Sequence, residues 1–93
     1  MAADVTEVDL GDWILRLDGR VVEGMHRAGV SHRYHVQHVA VEGKPRGDDL
    51  RVRLGVETAG VIVEGAAFTV PAARKEEVMA LFAEARALRD GPA

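Results

Sequence analysis

Four histidines carry the most conspicuous potential chemistry in this chain of 93 residues: His26, His32, His35 and His38. The last three recur at every third position, a spacing that on a helix would stack imidazoles on one face and could ligate zinc. The residues around them, among them Tyr34, Val36, Val39 and Val41, favour a strand instead. On a regular strand His32 and His35 point to opposite faces. His32 and His38 share a face but stand about 20 Å apart at 3.3 Å per residue. A kink near Gln37 would be needed to bring His35 and His38 together. No metal ligand is assigned on this geometry. A small ligand- or metal-responsive protein using the His32–His38 segment stands as the alternative reading.

Other chemistry-bearing residues have plainer explanations. Asp48-Asp49 sits beside Gly47, where aspartates stabilise turns. Glu76-Glu77 falls at the start of an amphipathic segment, where acids suit the helix dipole. Neither pair has a partner for acid–base work. Ser31-His32 lies in Gly29-Val-Ser-His, which is not a nucleophile elbow. The chain has neither Gly-x-Gly-x-x-Gly nor a phosphate-binding loop, so no nucleotide or flavin cofactor is expected. With no cysteine, there is no disulfide, thiolate metal site or thiol nucleophile. No catalytic residue is therefore assigned, and the chain is read as non-enzymatic. The remaining candidates form a ligand-binding set for an anion or an acidic partner: Arg27, Arg33 and His35, supplemented by Arg51 and Arg53. Their competing role is a solvated sheet face balanced by Glu23 and Glu57.

The elements that must position these residues are mostly strands. Trp13, Leu15 and Leu17 alternate with Arg16 and Asp18. Asp18-Gly19 then signals a hairpin, with a returning strand over Arg20–Met25. His26–Ser31 reads as a loop or an irregular continuation of the strand. Tyr34 and Val36 share one phase while Val39 and Val41 share the other, which requires a break near Gln37–His38. Gly43–Asp49 reads as a loop. Leu50, Val52, Leu54 and Val56 line one face opposite Arg51, Arg53 and Glu57. Thr58-Ala59-Gly60 turns the chain into Val61–Val63, Gly65 interrupts, and Phe68–Val70 closes the strands. From Arg74 to Arg89, the spacing of Val78, Leu81, Phe82, Ala85 and Leu88 predicts one amphipathic helix. Its apolar face is read as a cover for the strands rather than a partner groove.

This order is an α+β chain: six to seven antiparallel strands capped by one C-terminal amphipathic helix. Residues 1–9 read as an N-terminal tail, 10–90 as a single domain and 91–93 as a C-terminal tail. Three segments resemble the bacterial pleckstrin-homology-like (PH-like) domains: Trp13-Ile-Leu-Arg-Leu-Asp-Gly19; Arg33-Tyr-His-Val-Gln-His-Val-Ala-Val41; and Asp49-Leu-Arg-Val-Arg-Leu-Gly55, followed by Phe68-Thr-Val-Pro71 and the helix. The resemblance covers about Leu10 to Leu88. It implies a strongly bent sheet or partly open barrel plugged by the helix, used as a binding, membrane-peripheral or self-association module. Members that bind phosphoinositides cluster lysine and arginine in the first hairpin. Here that hairpin has only Arg16 and Arg20, flanking Asp18, so peripheral lipid contact is not expected.

Composition narrows the partner. A net charge of -3 argues against nucleic acid, which calls for a basic face. No window has the roughly 18 apolar residues of a membrane span. Met1–Asp9 lacks the basic-then-apolar pattern of a signal peptide. With the missing cysteines, this fits the reducing cytoplasm. The expectation is a binding module for a protein partner or for a second copy of itself.

Overall fold

A computed structural model of the chain describes residues 5–91. Expectations for residues 1–4 and 92–93 lie outside the described residues. Among the described residues, seven strands precede the helix: β1 (Val5–Asp9), β2 (Trp13–Asp18), β3 (Val21–His26), β4 (Ser31–His35), β5 (Val39–Arg46), β6 (Asp49–Thr58) and β7 (Val61–Val70). One turn of 3-10 helix, Ala72–Arg74, leads into α1 (Lys75–Asp90).

The expected single bent sheet or partly open barrel is instead two antiparallel meanders. One has the order β1-β2-β3-β4 and the other β5-β6-β7, and they form no closed barrel. The division falls at Val36–His38, where the sequence changes phase. The turn there includes a hydrogen bond from His38 N to His35 O of 2.9 Å. Past it, β5 pairs forward with β6 from Val39↔Val56 to Arg46↔Asp49.

Further differences come from local backbone chemistry. Residues 5–9, read as tail, pair with β2 from Val5↔Asp18 to Asp9↔Ile14. Only Val8 in this strand is buried, so it carries no period-two apolar signal. In the first hairpin the two-residue loop is Gly19-Arg20 rather than Asp18-Gly19, because Asp18 pairs with Val21. Only Gly19 of the two has positive φ, at 60°, as a II′-type loop requires at its first position. The expected loop over Gly43–Asp49 shrinks to Gly47-Asp48, since Lys44, Pro45 and Arg46 stay in β5. Pro45 is tolerated there because β5 is an outer strand. At Gly65 the chain does not leave the strand. The register slips by one residue between Leu54↔Ala66 and Gly55↔Glu64, a bulge that lets β7 run on.

The core lies between the sheets and under α1. It comprises Val8, Leu15, Leu17, Val22, Val36, Leu50, Val52, Leu54, Ala66, Phe68 and Val70, with Val78, Leu81, Phe82 and Ala85 from the helix. Every buried helix residue belongs to the apolar stripe read from the sequence. Burying each large one contributes about 1.5–3 kcal/mol. The helix is also held at both ends. Just ahead of it, at the 3-10 turn, Ala72 N donates to Asp49 Oδ1 of β6 at 3.2 Å. Near its end, Arg20 Nη2 donates to Leu88 O at 3.0 Å and Gln37 Nε2 donates to Arg89 O at 3.3 Å.

Candidate functional site

The three residues expected to bind a ligand do not converge. Arg27 follows β3 at the end of the first sheet where Trp13 pairs with His26. Its guanidinium donates to Asp9 at 3.1 and 3.3 Å, and its Nε donates to Gly11 O. Asp9 Oδ1 also accepts from Gly11 N at 2.9 Å. That backbone hydrogen bond, followed by the Arg27 charge, holds the Asp9 carboxyl below its ordinary value. Arg27 is therefore a clasp between two loops. Arg33 sits mid-strand opposite Glu23, with Nε 3.7 Å from Oε2. That same oxygen accepts from Ser31 Oγ at 2.6 Å. His35 lies at the far end, opposite Val21. Five residues of β3 separate it from Arg27's end, about 17 Å at strand rise. Arg51 and Arg53 occupy the other sheet. Arg51 donates to Thr69 Oγ1 at 3.2 Å and Arg53 to Glu42 Oε1 at 3.2 Å.

The turn at Val36–His38 does bring two imidazoles together, with the His35 and His38 rings 6.1 Å apart between centroids. His35 Nδ1 accepts from Gln37 N at 3.1 Å, leaving Nε2 as its open nitrogen. No group of three metal-ligating side chains exists among the described residues. The pair falls short of the three protein ligands used at catalytic zinc sites. His26 and His32 instead flank Trp13, at centroid distances of 5.0 Å edge-on and 6.3 Å stacked. Phe68 stacks on the same indole at 5.4 Å. These contacts account for two of the four histidines as packing.

A different site emerges where the sequence reading placed only core. β5 has β6 on one side and no strand partner on the other among the described residues. Its inward-facing Val39, Val41 and Gly43 pair with Val56, Leu54 and Val52, so they share the apolar face of the second sheet. The face runs out at the edge, and α1, which packs most closely on β1 and β2 of the first sheet, faces it across a trough. One compartment, of about 290 Å³, is lined by Val39, Val41, Ile62, Phe82 and Ala85, with Glu57, Arg86 and Arg89 at its margin. The next, about 320 Å³, is lined by Val41, Gly43, Leu50, Met79, Phe82 and Arg86. Val41, Phe82 and Arg86 belong to both, so the two form one groove. Val41 is 37% exposed and Met79 54%.

The signal for this groove was present but divided. Phe82 and Arg86 are four apart on α1, hence neighbours on its surface. Val39 and Val41 alternate on β5. Nothing local in the sequence says that these two stripes meet at an open sheet edge.

The chain matches no family model, and comparison with curated proteins and with solved structures gave no significant match. No described helix is long and apolar enough to cross a membrane.

Proposed function

We propose that this chain is a non-catalytic binding module of pleckstrin-homology-like architecture that takes an extended protein segment along the edge of β5. Two consecutive meanders followed by a packed C-terminal helix support the architectural part. The observation that carries the binding part is the coincidence of an open strand edge with the apolar groove beside it. The free N–H and C=O groups of an outer strand are unpaired hydrogen-bonding positions, and an added strand satisfies them. Alternate side chains of that strand would then enter the groove over Val41 and Phe82.

Only part of the edge invites pairing. From Lys44 to Arg46 the strand presents Lys, Pro and Arg, the residue types with which proteins block edge association. Proline has no N–H to give. Val39–Gly43 has neither lysine nor proline, its one charge, Glu42, is paired with Arg53 and Lys44, and that stretch supplies the groove residues.

Panning a phage-displayed random-peptide library against the full chain tests the reading. Selected peptides, added to the isotope-labelled chain, should shift amide resonances of Val39–Gly43 and of the Phe82–Arg89 stretch of α1. Val41→Arg, at a residue already at the surface, should abolish those shifts while leaving the fold intact. Selected peptides that shift only other segments would sink the proposal.

A further inference from the structure

We infer that the segment taken up by the groove carries an acidic residue flanked by apolar ones, and that Arg86 is the residue that selects it. The inference rests on the β5-edge reading above.

Arg86 borders both compartments, at the middle of the groove rather than at one end. It makes no ion pair among the described residues, although the other groove arginine, Arg89, is paired with Asp90 at 3.0 Å. The charges that surround the trough are unbalanced. With Arg89 taken by Asp90 and Lys44 by Glu42, Arg86 at the trough and Arg46 farther along β5 stand against Glu57, the acid in its lining. Glu42 on β5 belongs to the outer face, where it is held by Arg53 at 3.2 Å and Lys44 at 3.9 Å. A guanidinium beside an apolar floor favours a carboxylate that can be held by two parallel hydrogen bonds. Once a strand covers the groove, water leaves and the pair strengthens.

The strand period fixes the pattern. Residues at i−2 and i+2 of the added segment share a face with residue i. With the acid set against Arg86, the residues two positions to either side fall over the two apolar compartments. The expected motif is apolar-x-acidic-x-apolar. A second copy of the chain supplies no such motif from β5: Glu42 and the two alternate residues on either side of it, Ala40 and Lys44, do not fit.

The same library selection decides the matter when run on the parent chain, on Arg86→Gln and on Arg86→Glu. The parent should enrich peptides with Asp or Glu between apolar residues at two-residue spacing. Arg86→Gln should weaken a selected acidic peptide about fivefold. Arg86→Glu should weaken it further and enrich Lys or Arg at that position when panned afresh. Peptides that depend on Val41 yet show no acidic preference would overturn this inference and leave the edge-binding reading standing. A selection with no Val41-dependent peptide would overturn both. Light scattering that showed a Val41-dependent dimer would replace the peptide by a second copy and also overturn the inference.

Discussion

The hydroxyl of Tyr34 occupies the space that a side chain on Gly65 would need: a Cβ built there would lie 1.6 Å from the phenol oxygen and 2.9 Å from Cζ. The contact joins β4 of the first sheet to the bulge in β7 of the second. Gly65→Ala must displace the ring, and overpacking of this kind costs about 1–3 kcal/mol. Urea denaturation should show that loss. Adding Tyr34→Phe, which removes the closest atom, should return part of it. If Gly65→Ala left the midpoint unmoved, the inter-sheet contact would not be as described.

Asp9 gives the fold an acid-sensitive clasp. Its carboxyl is held below the ordinary 3.8 by the Gly11 amide and then by Arg27. A group whose folded value is depressed contributes stability above its unfolded value and loses it as the pH falls through the folded one. The contribution is therefore complete above pH 3.8 and disappears below it. Asp9→Asn should lower the melting temperature at neutral pH and flatten the decline on the acid side. An unchanged acid limb in thermal melts across that range would refute the clasp.

Two neighbours in the groove should behave differently when truncated. Phe82 is 7% exposed and part of the core, so Phe82→Ala should cost about 3–5 kcal/mol of stability. Met79 is 54% exposed, so Met79→Ala should change stability by less than about 0.5 kcal/mol. The Met79 variant should nonetheless weaken binding of a selected peptide. Calorimetry on both variants separates the two effects.

The guard on β5 can be removed. Replacing Lys44 and Pro45 together by valine would extend the open edge with β-prone residues and restore a backbone donor. Light scattering should then show association that the parent chain lacks at the same concentration. A double variant that behaved like the parent would mean that these residues do not protect the edge.

Local pattern carried much of this architecture. Leu50, Val52 and Leu54 are buried as their alternation implied, and Val78, Leu81, Phe82 and Ala85 are buried as the helical spacing implied. The phase change at Gln37–His38 marked the division between the sheets. What stayed hidden depends on partners distant in sequence. β1 buries one residue, Val8, and is a strand because β2 offers it a ladder. Lys44-Pro45-Arg46 reads as loop by residue type and is strand because β6 pairs with it. Of the candidate binding residues, Arg27 was legible as a cation but not as a clasp, since Asp9 lies 18 positions away. Arg86 carried no such signal, because its place beside the groove depends on how α1 and β5 come to face each other.

The bonds at the two ends of α1 have a consequence for cooperativity. Among the described residues the sheets share no strand ladder, so hydrogen bonding between strands alone would let each meander melt independently. The 3-10 turn that leads into the helix is fastened to Asp49 in the second sheet, while the helix's last carbonyls receive Arg20 from the β2–β3 loop of the first sheet and Gln37 from the crossover. One element thus ties both halves together, in addition to the core they share. The groove wall that would receive a partner is therefore also one of the ties between the two halves of the fold.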